Sequence, residues 1–295
     1  RKDKTFLLDW MQVYMEAQES AGKKDGSQIK IAMRILKDYA GEMVTLDQID
    51  GDFCRGYITY LLTEYHPKGK DISNYTLHNY YRALNGALNS AVRKKKMKAN
   101  PFNELEKSEK IRKPESMRSY MTIEEVQALI DTPMPHEEYE IVKCAYLFSC
   151  FCGLRISDII KLKWSDVFVD RGQYRLAVSM KKTKEPIYLP LSPEALKWMP
   201  ERGGKSSEDN VFDLPSANTI RMQLKPWAKA AGISKRFSYH TSRHTFATMM
   251  LTLGADLYTV SKLLGHADVK MTQVYAKIIN KKKDEAVNLV NGLFH

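Results

Sequence analysis

The sequence predicts a mainly α-helical chain with a small antiparallel β-sheet, organised as a helical bundle followed by a mixed α+β domain. Three observations support this fold class. The first hundred residues carry apolar side chains at helical spacing and no strand pattern. The segment 100–119 is rich in charge and poor in large apolar residues. Beyond it, two short segments rich in strand-forming residues lie among further helices. We therefore expect two domains, 1–99 and 120–295, joined by an extended linker at 100–119.

Four helices are predicted in the first domain, because apolar side chains recur there three and four residues apart. The apolar stripes of the first three include Phe6, Ile31 and Tyr57 respectively, and the fourth helix covers about 74–94. Helices that each carry one apolar stripe bury those stripes against one another, which predicts a small bundle. The fourth helix leads into a basic run: Arg93, Lys94, Lys95, Lys96 and Lys98.

The second domain is predicted to begin at a capping box. The sequence Thr-Ile-Glu-Glu at 122–125 lets the threonine accept a hydrogen bond from a free helix amide while the last glutamate reaches back. An apolar helix follows at 139–152. Residues 173–179 and 186–191 are rich in strand formers and are separated by a charged hairpin tip. Further helices are predicted at about 193–199, 217–231, 241–253, 256–264 and 269–280.

The charge balance bears on the partner. The chain has 46 lysines and arginines against 35 acidic residues, a formal net charge of +11. This excess favours a polyanionic partner, most simply nucleic acid. A basic surface with no such partner explains the charge equally well, so the balance alone leaves both readings open.

Signals of secretion or membrane insertion are missing from the sequence. The longest apolar run, 145–153, is too short to span a bilayer, and the start shows no secretory signal. The cysteines form neither a C-x-x-C pair nor a spaced zinc framework, which favours free thiols in a reducing compartment and a cytoplasmic protein without a membrane partner. They are Cys54, Cys144, Cys150 and Cys152. Because residue 1 is Arg rather than Met, we expect the chain to be part of a longer protein.

Six residues of the second domain stand in settings that suit chemistry on a phosphodiester. An arginine follows Gly-Leu where a loop enters a helix, and a lysine lies on the hairpin tip. A histidine and an arginine three residues apart share one helical face. A second histidine follows Leu-Gly at a helix end, and a tyrosine comes nine residues later. They are Arg155, Lys182, His240, Arg243, His266 and Tyr275.

Moving a phosphodiester between two alcohols requires these residue types. The five-coordinate transition state carries negative charge on its non-bridging oxygens, which positioned cations stabilise. A guanidinium grips two oxygens at once and keeps its proton. Histidine supplies a further donor or handles a proton, lysine can protonate the leaving 5′ oxygen, and tyrosine can hold the phosphate as an ester. The scheme needs no metal, nucleotide or other cofactor.

These residues, in this order, resemble the motifs of the tyrosine recombinase (phage integrase) family, and the resemblance covers the whole chain. It implies that all six are catalytic, with Tyr275 as the nucleophile. It also implies that the Asp158 carboxylate supports the catalytic residues without contacting the substrate. It also implies a core-binding bundle of the SAM-like type, a catalytic domain at 120–295 and a C-terminal tail helix.

The resemblance implies a function as well. We expect a site-specific recombinase or integrase that cuts and rejoins double-stranded DNA through a covalent 3′-phosphotyrosine intermediate, for integration or excision of a mobile element. The family pattern implies a monomer in free solution and a homotetramer on two DNA sites during synapsis, with accessory DNA-bending proteins as further partners. An upstream domain that binds DNA arms would fit the same pattern.

Several alternatives stay open at this stage. Lys181 and Lys184 share the hairpin tip with Lys182, which is favoured because it precedes Pro190 by eight residues. A type IB topoisomerase would use the same chemistry, and a non-catalytic DNA-binding regulator could be built on the same scaffold. The compact spacing of the motifs favours the recombinase over the first, and the complete set of six residues argues against the second.

Neighbouring residues offer competing interpretations. His240 and His244 are four residues apart, but Thr241 stands where a zinc-peptidase motif needs a glutamate, so we expect no metal site and a structural role for His244. Tyr239 and Tyr258 are rival nucleophiles. Tyr258 lies among apolar residues, which predicts a place in the core.

DNA contacts are predicted on both domains, which we expect to clamp a duplex between them. The candidates are Arg82, Arg93, Lys94, Lys95 and Lys96 in the first domain and Arg221, Gln223 and Lys225 in the second. Residues 284–295 carry an apolar stripe typical of a short amphipathic helix. Such a tail could cover its own domain or dock on a neighbouring subunit.

Overall fold

In the computed structural model, which describes residues 4–114, 118–179 and 186–275, the chain divides into two units, 1–115 and 116–295. Each unit has its own apolar core. Within the described residues, no helix combines the length and the apolar character needed to cross a bilayer.

The first unit is the predicted helical bundle. Its helices are α1 (Leu7–Ser20), α2 (Gly26–Ala40), α3 (Gly51–Thr63) and α4 (Asn74–Arg93). Side chains fix where two of them begin: Asp50 accepts a hydrogen bond from the Phe53 amide (2.8 Å), and Ser73 accepts one from the Thr76 amide (3.3 Å). The Trp10 indole donates to the Ala87 carbonyl (2.8 Å), which joins α1 to α4.

The predicted linker is shorter than expected. Residues 100–114 do not extend between the units but belong to the first one, with a 3-10 turn at Pro101–Asn103. Phe102, Leu105 and Ile111 are buried in the core of the bundle. The prediction of a linker across all of 100–119 was therefore wrong, because three apolar side chains among many charges are enough to hold this segment on the bundle.

The second unit is a mixed domain in which helices outnumber strands. Its helices are α5 (Ile123–Asp131), α6 (Glu140–Cys152), α7 (Ile156–Ile159), α8 (Pro193–Leu196), α9 (Ala217–Ala230), α10 (Tyr239–Thr252) and α11 (Leu257–Leu263). The capping box predicted for α5 is present: Thr122 Oγ1 accepts from the Glu125 amide (3.3 Å), and Glu125 Oε2 accepts from the Thr122 amide (2.7 Å).

A three-stranded antiparallel sheet completes this unit, in the order β1 (Val167–Asp170), β2 (Gln173–Ser179), β3 (Pro186–Pro190). Leu176 pairs with Val167 on one side and Leu189 on the other. The hairpin of β2 and β3 was predicted. Strand β1 was not, because four residues are too few to show a clear alternation. The hairpin tip, including Lys182, lies outside the described residues.

Helix α6 is the scaffold on which α10 rests. It is buried on nearly all sides, as its apolar sequence predicted. The Tyr146 and Thr241 hydroxyls are 2.7 Å apart, and the Tyr239 hydroxyl donates to the Ala145 carbonyl (2.6 Å). These bonds fix the rotation of α10, and with it the direction of the side chains that follow.

The last predicted helix, 269–280, is not a continuous helix over its described part. Two 3-10 turns stand there instead, Val269–Met271 and Gln273–Tyr275. The Asp268 carboxylate caps the first turn by accepting from the Lys270 amide (2.9 Å), and the buried Thr272 separates the two. Residues 276–280 and the predicted tail helix at 284–295 lie outside the described residues.

Candidate active site

Helix α10 carries an arginine into the interior of the second unit. Arg243 is 3% exposed, and its guanidinium donates to the carbonyls of Gly153 (2.7 Å) and Leu264. These bonds hold the guanidinium between the end of α6 and the end of α11. Burial, followed by the charge of Arg155, lowers the pKa of Arg243 to about 10. Burial makes the charged form of Arg243 less favourable, so a buried arginine at this position indicates a site that binds an anion.

The second arginine is placed by a glycine. Gly153 ends α6 with φ +75, and a Cβ there would lie 2.6 Å from the Phe246 ring, so the Gly-Leu-Arg sequence needs this glycine. Arg155 follows, half-buried, at the start of α7, where its amide donates to Asp158 Oδ2 (3.4 Å). Asp158 therefore holds the backbone that carries Arg155, in line with the bracing role expected for it.

Two histidines stand close to this pair of arginines. His266 follows Gly265 at the end of α11, and its Nδ1 lies 2.7 Å from the Thr272 hydroxyl. Burial and the charges of Arg243, Arg155 and Arg118 lower the pKa of His266 to about 4. His240, an exposed residue on the otherwise buried first turn of α10, also has a lowered pKa, caused by partial enclosure of its ring and then by Arg243, Arg118 and Arg155. Both imidazoles are thus neutral before any anion binds.

Tyr275 is 4% exposed and meets two groups with its hydroxyl. One is Nδ1 of His244, within hydrogen-bond distance, with the ring centroids 5.8 Å apart. The other is the nearby Arg118 side chain, which acts on the pKa of the phenol. Burial raises the pKa of Tyr275, while Arg118 and Arg243 act in the opposite direction. The nucleophile predicted from sequence is therefore inside the cationic site and protonated.

The structure brings together five of the six residues singled out from the sequence. Arg155 acts on the pKa of Arg243, His240 and His266, and Arg243 acts on that of Tyr275. Charges influence one another in this way only at short range. The sixth residue, Lys182, lies outside the described residues.

Three residues near this site were not predicted as functional. A pocket of about 280 Å³ beside Tyr275's partners is lined by Arg118, Ser119, Arg236, Ser238, His240, Thr241 and His244. Arg118 and Arg236 lie outside every motif, so a single sequence holds no signal for them. His244 did carry a signal, because it shares a helical face with His240, and the two rings are 4.7 Å apart at 89°. Among the described residues, no group of three His, Cys, Asp or Glu side chains could hold a metal ion.

The rival tyrosines differ from each other. Tyr239 is a core residue whose hydroxyl is bonded to Ala145 and Ser149. The core position predicted for Tyr258 was wrong, since its side chain is 59% exposed. Helix α11 buries the face that contains Val260, and Tyr258 lies away from it, with the Lys262 ammonium 5.1 Å from its ring centroid.

The candidate DNA contacts are mostly on the surface. After α4 the whole basic run is exposed: Arg93, Lys94, Lys95 and Lys96. Arg82 is exposed but forms an ion pair with Asp25 (3.4 Å). On α9, Arg221 and Lys225 are exposed, and the Arg221 guanidinium donates to Asn218 (2.8 Å). Gln223 is half-buried, so it offers less of its side chain to a partner.

Comparison with known proteins identifies the family. The phage integrase family model matches residues 119–282, and the phage integrase SAM-like domain matches 6–112. A tyrosine recombinase of Pseudothermotoga lettingae is 29% identical over 242 residues, which cover 74% of this chain and 82% of that protein. The tyrosine recombinase XerD of Halalkalibacterium halodurans is 34% identical over 169 residues, covering 54% of this chain and 56% of the relative.

A solved structure agrees on the fold. The Tn1549 transposon integrase, in complex with circular intermediate DNA, superimposes with a TM-score of 0.73 and 16% identity, over 96% of this chain and all of that one. At this identity the likeness bears on the fold alone. The sequence match is the stronger finding: since the integrase model covers more than half of the residues, the chain belongs to the phage integrase family.

Proposed function

We propose that the chain is a site-specific DNA recombinase that cuts and rejoins strands through a covalent 3′-phosphotyrosine. One observation carries this proposal. Side chains from α7, α10, the end of α11 and the turn Gln273–Tyr275 surround one cationic site with a buried tyrosine in it. Family membership and the tyrosine recombinases among the relatives support the same function.

The arginines bind the phosphate in this proposal. Arg243 donates two of its N–H groups to the carbonyls of Gly153 and Leu264. Its remaining N–H groups can donate to the non-bridging oxygens of the phosphate. Arg155 faces the same anion from α7. Because its two carbonyl bonds fix the Arg243 guanidinium before the substrate arrives, Arg243 stabilises the charge that develops in the transition state without reorganising.

The other residues handle the nucleophile and the leaving group. Tyr275 attacks phosphorus, and the strand's 5′ oxygen leaves. His240 and His266, as neutral imidazoles, donate hydrogen bonds to the phosphoryl oxygens. We assign Lys182 to protonate the leaving oxygen, as the family motif implies. In rejoining, the 5′ hydroxyl attacks the phosphotyrosine and the same groups act in reverse.

DNA is the substrate and the main partner. The basic run after α4 and the exposed cations of α9 would bind phosphates on a duplex, so affinity should fall steeply with salt. We propose that the first unit, 1–99 with the packed segment that follows it, holds DNA and that the second unit, from about residue 120, cuts it, the two clamping one duplex. The transposon integrase cited above was solved on DNA, which supports this partner.

Assembly follows from the reaction. Exchange of strands between two duplexes requires four active sites, so we propose a homotetramer on two DNA sites, formed from monomers, with residues 284–295 docking on a neighbouring subunit. Integration or excision of a mobile element, with help from accessory DNA-bending proteins and on DNA in the cytoplasm, would suit such an enzyme.

A trapping experiment tests the proposal. Duplexes tiled across the DNA that flanks the coding gene would each carry a nick, so that cleavage releases a short 5′-hydroxyl fragment and leaves the protein attached. We expect wild-type protein to form an adduct that survives denaturant, in EDTA and without ATP. Tyr275→Phe should bind the same duplex and form none, whereas Tyr258→Phe, which changes an exposed tyrosine, should behave like wild type. A DNA-binding regulator would bind and never attach.

A further inference from the structure

His244 contacts the nucleophile although the reaction described above gives it no task. It directly follows Arg243 on α10 and is 7% exposed. Its Nδ1 atom lies within hydrogen-bond distance of the Tyr275 hydroxyl, and the two rings are inclined at 55°. No other imidazole among the described residues is hydrogen-bonded to that oxygen. The proton of Tyr275 must go somewhere when the oxygen attacks phosphorus, and the residues assigned so far provide no acceptor for it.

We infer that His244 is the general base of the cleavage step, accepting the phenolic proton of Tyr275 on its Nδ1 atom. This inference rests on the proposed recombinase function, since it names the proton acceptor for that reaction. His244 touches a reacting atom, so the role is catalytic and not only structural.

The hydrogen-bond direction follows from which groups can accept. A guanidinium has donors and no acceptor, so the nearby Arg118 side chain cannot take the phenolic hydrogen. The phenolic hydrogen is therefore free to point at His244. Burial, then the charges of His240, Arg118, Arg243 and His266, lower the pKa of His244 to about 3, so its ring is neutral. A neutral imidazole has one accepting nitrogen. We assign Nδ1, the atom that contacts the phenol, as that nitrogen, with the hydrogen on Nε2.

The step balances in both directions. In cleavage, the Tyr275 oxygen bonds to phosphorus, its proton moves to His244, the bond from phosphorus to the 5′ oxygen breaks, and that oxygen takes a proton from Lys182. In rejoining, the 5′ hydroxyl returns its proton to the lysine and attacks phosphorus. The phenol oxygen then leaves and recovers its proton from His244. No oxidant, metal or further reactant is required.

The cations around the His244 imidazole make its pKa depend on whether the DNA phosphate is bound. Without DNA, burial of the ring and the charges of Arg118 and Arg243 oppose protonation of His244, and the proton stays on Tyr275. A bound phosphodiester brings a negative charge against these same groups and so favours the imidazolium. At the same time, bonding of the phenol oxygen to phosphorus makes its hydrogen more acidic. The nucleophile is thus activated when a phosphate is in place.

Two substitutions of His244 distinguish a residue that only hydrogen-bonds the Tyr275 phenol from one that accepts its proton. His244→Asn puts an amide oxygen near the position of Nδ1, which can accept the hydrogen bond but cannot accept the proton. His244→Ala removes both functions. Loss of a general base typically slows a reaction by about 10²–10⁴-fold, so we expect both variants to form the covalent adduct on the nicked duplex more slowly by that factor. Thr248→Ala, which removes a buried hydroxyl one turn further along α10, is the matched control and should cleave normally.

Two further measurements should respond to the loss of a general base but not to the loss of a packing residue. Imidazole added to His244→Ala should restore part of the cleavage rate, and should do nothing for Tyr275→Phe. The difference between wild type and His244→Asn should also shrink as the pH rises toward the elevated pKa of Tyr275, because a phenolate needs no base.

The outcomes are distinct. Wild-type cleavage by His244→Asn at neutral pH would overturn the inference, whether or not His244→Ala is impaired or folds poorly, because hydrogen bonding would then be sufficient. Absence of an adduct with wild-type protein would instead overturn the proposed function itself. Slow cleavage by His244→Asn with unchanged DNA binding and an unchanged melting temperature supports the inference.

Discussion

Helices α4 and α10 are each central to their unit, yet they bury opposite kinds of residue. The buried residues of α4 are Leu77, Tyr80, Tyr81, Ala83, Leu84, Ala87, Leu88 and Ala91. The buried residues of α10 are Tyr239, Thr241, Ser242, Arg243, His244, Thr245, Phe246, Ala247, Thr248 and Leu251. The first set is apolar throughout. The second is more than half polar and runs without a break from 241 to 248.

This difference in buried residues indicates a different role for each helix. Apolar burial stabilises α4 at roughly 25 cal/mol per Å² and needs no directional partner. The polar groups of α10 would each cost free energy unless they were hydrogen-bonded. They are: Ser242 donates to the Tyr239 carbonyl (2.7 Å), and Thr245 donates to that of Thr241 (2.8 Å). Helix α10 therefore keeps cations and imidazoles in fixed positions, while α4 holds a core together.

Replacing the buried arginine of α10 should have the largest effect. Arg243→Ala removes an oriented donor to the transition state, a change that typically slows reaction by about 10²–10³-fold. It also leaves the carbonyls of Gly153 and Leu264 without their partner. Arg243→Lys keeps the charge but cannot reach both carbonyls and a phosphate together, so we expect it to be impaired as well. Adduct formation on the nicked duplex measures the rate.

A binding measurement on the same variants separates chemistry from folding. If Arg243→Lys cleaves at the wild-type rate, a point charge is sufficient and the bidentate role is wrong. If either variant loses DNA binding and adduct formation in equal proportion, the arginine acts on folding or binding before it acts on the transition state.

In α4 the expected loss is in stability alone. Leu84 is fully buried, and truncating such a leucine costs about 2–5 kcal/mol. We expect Leu84→Ala to lower the free energy of unfolding of the first unit by that amount, measured as a lower urea midpoint, and Tyr75→Ala, on the exposed first turn of the same helix, to change it little. Trp10 reports on this unit, because the other tryptophans lie in the second. Equal losses in both variants would mean that the apolar face of α4 does not set its stability.

The two helices also differ in how far the sequence could predict them. Periodicity alone predicted α4 at 74–94, against an observed Asn74–Arg93, because one apolar face produces a regular pattern. Helix α10 has no such pattern, since it is buried on several sides by polar residues. Its functional residues were found from the family motif, which identifies His240 and Arg243 by type and spacing but says nothing about what they contact.

What the sequence missed has physical causes. Arg118 reaches Tyr275 from a segment with no secondary structure, so its place depends on tertiary packing alone. His244 was taken as structural because its partner lies 31 residues away, and spacing reveals only neighbours on the same helix. The segment after Asn100 was taken as a linker because its charge outweighed three apolar residues, which nonetheless decide where it packs.

The last predicted effect concerns acid, and it contrasts the histidine of α10 with that of α4. The folded-state pKa of His244 is about 3, below the 6.5 of an ordinary histidine. Between these two pH values the unfolded chain therefore binds a proton at this residue that the folded chain does not bind. Its contribution to stability is therefore complete above about pH 6.5 and is lost as the pH falls from there toward 3. The slope is at most about 1.4 kcal/mol per pH unit for one proton.

Urea unfolding between pH 7.5 and 4.5 tests this, followed in a Trp10→Phe background so that fluorescence reports on the second unit. We expect His244→Asn to flatten the pH dependence there by close to one proton. His78, on α4, also has a lowered pKa, caused by burial and then by Arg82 and Lys113. Since burial is the first cause of both shifts, and His78 is only half-buried while His244 is buried, His78→Asn should flatten the first unit's pH dependence less. If His244→Asn keeps the full wild-type slope, the pKa of His244 is the same in the folded and the unfolded chain, and the lowered pKa assigned to its ring in the folded protein is wrong.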